Sequence, residues 1–144
     1  MIREDSKCFR EKFRIMERKL GLLMKGNGCC CDISLTQCHA LVEIGRTPGI
    51  NLRTLANQLD LDISTMSRCI ESLVKMDLVI RKNAATDRRY IDLELTDQGK
   101  HLCNTIEKDM NNKFFQIFNR IPDDQRNTVL NSLDFIINAL QESD

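Results

Sequence analysis

Apolar residues recur at three- and four-residue steps along most of this chain, and the breaks between those runs divide it into six helical segments and one extended pair. Phe9, Phe13, Met16, Leu20 and Leu23 predict a helix over 6–25 that stops at Gly26-Asn27-Gly28. Ser34-Leu35-Thr36-Gln37 reads as a capping box, and Cys38, Leu41, Val42 and Gly45 carry the helix it opens to residue 47. Pro48-Gly49 breaks the chain. Asn51 then caps a short helix through 59, with Leu52, Leu55, Ala56 and Leu59 inward.

Only Asp60 and Leu61 separate that helix from the next cap, Asp62. Over 62–76 the apolar positions are Met66, Ile70, Leu73 and Val74, while Ser64, Thr65, Ser67, Arg68, Glu71 and Lys75 share the other face. Two short helices joined this tightly, the second with a small-polar and arginine face, form a helix-turn-helix pattern. Leu78-Val79-Ile80 is β-rich, 83–88 is polar and turn-like, and Tyr90-Ile91-Asp92-Leu93-Glu94-Leu95 alternates with period two, so a hairpin follows directly. Thr96 caps a helix to about 119, striped by Leu102, Cys103, Ile106, Met110, Phe114, Ile117 and Phe118. Pro122 opens a last helix in which Val129, Leu133, Ile136, Ile137 and Leu140 repeat.

The expected class is therefore mainly α with a small β-hairpin wing: a winged helix-turn-helix over 34–96, flanked by helical dimerisation regions over 1–33 and 97–144. Four of the six Phe lie in the last two helices, and their stripes are long for so small a body, which points to a two-fold homodimer.

Net charge is zero, yet residues 79–90 hold Arg81, Lys82, Arg88 and Arg89 against only Asp87. A local basic finger suffices for DNA, because affinity follows the phosphates contacted. No apolar run reaches a membrane span, and the charged N-terminus, MIREDSKCFREKF, is unlike a signal peptide; the expectation is a cytoplasmic protein with no membrane partner. In that reducing compartment the seven irregularly spaced cysteines read as thiols or ligands rather than disulfides. A Gly-rich phosphate loop, a Cys-x-x-Cys pair and a Ser/His/Asp arrangement are all missing, which argues against an enzyme.

Taken together, Ser34-x-x-Gln37, Asp62-Ile63-Ser64-Thr65-Met66-Ser67-Arg68, Asp87-Arg88-Arg89 and Leu93-x-Leu95-Thr96-x-x-Gly99 resemble the MarR (multiple antibiotic resistance regulator) family of winged helix-turn-helix repressors, over nearly the whole chain. The resemblance implies a dimer whose two recognition helices enter successive major grooves of a palindromic double-stranded operator, about 34 Å apart. Carried over, Ser64, Thr65, Ser67 and Arg68 face base edges and phosphates, with Arg68 placed for a guanine. Arg88 and Arg89 enter the minor groove at the wing, with Asp87 orienting one of them, and Arg53 and Lys75 contact phosphates.

Members of this family release DNA on meeting a small molecule, a metal or an oxidant. Here Cys29, Cys30, Cys31, Cys38 and His39 fall within eleven residues, a soft donor set suited to zinc, cadmium, copper(I), mercury or trivalent arsenic. His39 is similar in position to the histidine of zinc-sensing members, but the matching places in the fifth helix, Ile106 and Met110, are apolar; His101 or Cys103 could complete a thiol-rich site instead. Cys8 stands near the reactive cysteine of peroxide-sensing members without the supporting tyrosines, since the one Tyr is Tyr90. Cys69 and Cys103 read as core residues. The expectation is a DNA-binding repressor that needs no cofactor to fold and is modulated by a thiophilic metal or metalloid at the cysteine cluster. The alternatives are an oxidant or phenolic effector with structural cysteines, and a winged-helix module that binds another protein.

Overall fold

The computed structural model describes residues 2–25, 33–83 and 91–141. It divides into two compact units, 1–103 and 104–144. The first holds α1 (Ile2–Lys25), α2 (Leu35–Arg46), β1 (Ile50–Asn51), α3 (Leu52–Gln58), α4 (Ile63–Lys75), β2 (Val79–Asn83), β3 (Ile91–Leu95) and the start of α5 (Asp97–Asn119). The second holds the rest of α5, a 3-10 turn at Asp123–Gln125 and α6 (Arg126–Gln141). None of the described helices is long and apolar enough to cross a membrane.

The caps expected from sequence form. Gln37 N donates to Ser34 Oγ at 3.2 Å and Ser34 N to the Gln37 side-chain oxygen at 2.8 Å, closing the capping box of α2. Asn51 Oδ1 accepts from Thr54 N at 2.7 Å and Asp62 Oδ1 from Thr65 N at 2.6 Å. Helix α1 starts four residues earlier than its apolar spacing predicts, with Glu4 and Asp5 in its first turn, where carboxylates suit the helix dipole.

Among the described residues the core of the first unit is wholly apolar. Leu41, Ile44, Leu55, Met66, Ile70, Leu73 and Leu93 are fully buried, each contributing about 1.5–3 kcal/mol by leaving water. Val74, expected inside, is only partly covered, and so is Cys69, expected in the core; burial still raises the Cys69 thiol above its ordinary pKa. Cys103 is buried as expected, its Sγ 3.8 Å from the Leu41 carbonyl oxygen, where the neighbouring Gly45 leaves it room.

The wing is more than the expected hairpin. Three antiparallel strands run in the order β1-β3-β2, with Ile50 opposite Leu93 and Val79 opposite Leu95. β1 has two residues, too few to show a period, and it exists because β3 brings partners from more than forty positions away: Gly49, at φ +83°, donates its N–H to the Leu93 carbonyl at 3.0 Å. Asn83, read as turn, is the last residue of β2, paired with Ile91.

Both helices of the helix-turn-helix end in the same way. Asp60 N donates to Asn57 O and Leu61 N to Ala56 O; Asp77 N donates to Val74 O and Leu78 N to Leu73 O. These are Schellman closures, with Asp60 at φ 55° and Asp77 at φ 59° in the left-handed place that glycine usually takes. Asp tolerates it because its short polar side chain satisfies nearby backbone.

A joint follows the second closure. Thr96 N donates to Leu78 O at 3.0 Å, Thr96 Oγ1 donates to Asp77 O at 2.7 Å, and the same hydroxyl accepts from Gly99 N at 2.9 Å. One threonine thus caps α5 and ties it to the end of α4.

In the second unit Arg126 closes the turn between α5 and α6. Its Nε donates to Phe118 O and Ile121 O, Nη2 to Asn119 O at 3.2 Å, and Nη1 pairs with Asp123 Oδ1 at 2.6 Å. α6 therefore begins at Arg126, four residues after Pro122. None of its residues is buried.

Candidate nucleic-acid interface

Burial of Met66, Ile70 and Leu73 fixes the rotation of α4 about its axis and leaves Ser64 and Arg68 exposed, with Thr65 and Ser67 partly covered beside them. The expected reading face is therefore assembled on one side of a helix held at both ends, by Asp62 and by the closure at Asp77. Ser64 donates its hydroxyl hydrogen to Asp62 Oδ1 at 2.7 Å, which leaves the Ser64 oxygen free to accept. Arg53 is exposed on the first turn of α3, and Lys75 is exposed at the end of α4 with Glu71 Oε1 3.6 Å away.

The Ser64 hydroxyl first, then the Thr65 amide and side chain, with a smaller contribution from Arg68, hold the Asp62 carboxyl at about 2, below its ordinary 3.8. A depressed pKa means that the cap is fully formed above about 3.8 and is lost as pH falls through 2. An NMR titration of the Thr65 amide is expected to move with a midpoint near 2 in the native protein, and in Asp62→Asn to show no carboxyl transition. A midpoint at 3.8 would show that the cap does not hold the carboxylate.

Two contacts escaped the sequence reading. The Gln37 side-chain nitrogen donates to Ser72 Oγ at 3.0 Å, linking the start of α2 to the third turn of α4. Arg81 Nη2 donates to the Ser67 carbonyl oxygen at 3.3 Å, joining β2 to the middle of α4. The first has no local signal, since 35 residues separate its partners. The second was half visible: Arg81 lies two residues after buried Val79 and so shares its strand face. Lys82, on the opposite face, pairs with Glu94 Oε2 at 2.8 Å and lowers the Glu94 pKa.

Asp87, Arg88 and Arg89 lie outside the described residues, as do Cys29, Cys30 and Cys31. Of the expected thiol cluster, Cys38 is partly covered and His39 exposed on the first turns of α2. Among the described residues no three His, Cys, Asp or Glu side chains gather as a metal site. His101 is exposed and Cys8 is exposed on α1.

Residues 33–91 match the family model described as MarR family. A MarR transcriptional regulator from Methanosarcina mazei is 28% identical, with a TM-score of 0.70 over 94% of this chain and 96% of its own. Over residues 33–91 the chain is similar to the MarR family, and its winged-helix fold is that of MarR regulators. Its MarR fold is also that of FabT from Streptococcus pneumoniae, solved in complex with DNA, at a TM-score of 0.82 over 100% of both chains and 16% identity. The HTH-type transcriptional regulator SarZ of Staphylococcus aureus strain MRSA252 is 27% identical over 114 residues, 78% of this chain and 76% of SarZ. These MarR relatives carry the names of transcriptional regulators, not of enzymes.

Proposed function

We propose that this protein is a MarR-family, homodimeric, sequence-specific double-stranded DNA-binding transcriptional repressor whose DNA affinity responds to a thiol-reactive signal. The observation that carries the DNA reading is the α4 face: Ser64, Thr65, Ser67 and Arg68 are turned outward by a buried apolar stripe and followed at once by a wing. Hydroxyls and an arginine at that spacing match the donors and acceptors of a major-groove edge. Arg53 and Lys75 are the phosphate contacts, and Asp87, Arg88 and Arg89 the wing's minor-groove contacts. The solved DNA complex of FabT supports the same use of this fold.

Dimerisation rests on apolar surface that each unit leaves uncovered. α1 exposes Phe9, Met16 and Leu20, and the second unit exposes Phe114, Phe115, Leu133, Phe135 and Ile137, with Phe135 at 75%. Exposed apolar surface of that kind marks a protein–protein interface.

For the signal, three consecutive thiols with Cys38 and His39 in eleven residues favour a soft metal or metalloid. Cys38 and His39 lie on the first turns of α2, which meets α4 through Gln37 and Ser72, so a ligand there can bias α4. The test is binding of the reduced protein to DNA from its own upstream region, titrated with zinc, cadmium, arsenite and peroxide while free thiols are counted. Release by one metal or by arsenite, with about three thiols protected per subunit, supports the whole reading. Tight binding indifferent to all four keeps the DNA reading and removes the thiol signal; no binding to any duplex removes both.

A further inference from the structure

Arg81 lies in β2 of the wing and belongs to its basic stretch, but neither the family resemblance nor the expected base contacts gives it a contact of its own. In the strand register Arg81 stands opposite Leu93, whose side chain is fully buried, and two residues after buried Val79. The alternation of β2 therefore points Arg81 to the α4 side of the sheet. Its guanidinium reaches α4 and donates one N–H to the carbonyl of Ser67, the residue beside Arg68 on the reading face.

The neighbouring cations are differently placed. Lys82 is neutralised by Glu94 at 2.8 Å and Lys75 stands 3.6 Å from Glu71. Among the described residues no carboxylate pairs with Arg81, and its side chain is exposed. A guanidinium carries five N–H donors in a rigid fork. One is used to anchor the group against α4, and among the described residues the remaining donors meet no acceptor and no compensating carboxylate on this exposed side chain.

We propose that Arg81 is a further phosphate-binding residue, pre-positioned by the Ser67 carbonyl to take a backbone phosphate between the groove read by α4 and the groove reached by the wing. The proposal rests on the DNA-binding reading above. Holding the fork in place before binding reduces the side-chain ordering that a free arginine loses on contact. A phosphate contact carries no base information, so Arg81 adds affinity and register rather than specificity.

The experiment measures equilibrium binding of the full chain to its upstream DNA and to an unrelated duplex of equal length, from 50 to 200 mM salt. Arg81→Gln is expected to weaken binding to both by the same factor and to make the plot of log K against log salt shallower by about 0.9 per subunit contact. Arg81→Lys is expected to keep the slope. The double variant Lys82→Gln with Glu94→Gln, which removes an equal and opposite pair, is expected to leave the slope unchanged. Circular dichroism with matching thermal midpoints establishes that the variants are folded. A lost affinity with the native slope in Arg81→Gln would make Arg81 a brace of α4 alone and overturn the proposal. So would unchanged binding, or an equal slope change in the Lys82 and Glu94 double variant. If the unaltered protein binds neither duplex, it is the DNA-binding reading that fails.

Discussion

Gly99→Ala is expected to destabilise the fold by about 3 kcal/mol, near the upper end of what overpacking costs, and to lower the thermal midpoint by roughly 10 °C. A Cβ built on Gly99 falls 2.0 Å from the Leu78 carbonyl oxygen and 3.0 Å from its carbon. Backbone cannot swing away as the tip of a side chain can. That same carbonyl accepts the Thr96 N–H, and Leu78 N donates to Leu73 O to close α4. Moving Leu78 therefore strains the end of α4 and the start of α5 together. Thermal or denaturant unfolding checks the magnitude, and a loss under about 1 kcal/mol would mean that the joint is slack. Glycine's usual conformational argument plays no part, since Gly99 lies within a helix at ordinary φ; only the close approach demands it.

Arg68→Ala is expected to cost about 1–3 kcal/mol of operator affinity, roughly five- to 150-fold, and to relax preference at a single base position. The residue is exposed and the core positions that orient it, Met66 and Ile70, are untouched, so the thermal midpoint is expected to stay within a few degrees. Binding to the operator and to a panel of single-base substitutions separates two meanings. A loss confined to sequences that keep one particular base identifies direct readout. A uniform loss across the panel makes Arg68 a phosphate contact instead, and no loss removes it from the interface.

Helices and caps were legible because both are local. A 3.6-residue apolar period and a Ser, Asn or Asp ahead of it state where a helix begins and which face it buries, and Ser34, Asn51, Asp62 and Thr96 all cap as read. The polar face of α4 was legible for the same reason, being the complement of a buried stripe. The helix ends were not: Asp60 and Asp77 occupy the left-handed closure without the glycine that announces it. β1 escaped because a two-residue strand has no period and owes its existence to β3. Val74 and Cys69 are apolar positions on the edge of the α4 stripe, where the neighbouring elements stop short of covering them.

By itself the sequence determined the order of the helices, their inward faces, the helix-turn-helix with its wing, and the hydroxyl and arginine side chains that α4 presents. Each of these depends on residues within about two turns of one another, where propensity, capping and periodicity act. Only the tertiary structure decided what Gly99 is for, that Gln37 reaches Ser72, and that Arg81 is anchored on Ser67 while Lys82 beside it is paired with Glu94. Those are relations between residues 12 to 35 positions apart, set by how the sheet and helices pack, and a side chain's partner across such a gap is chosen by geometry that no local pattern contains.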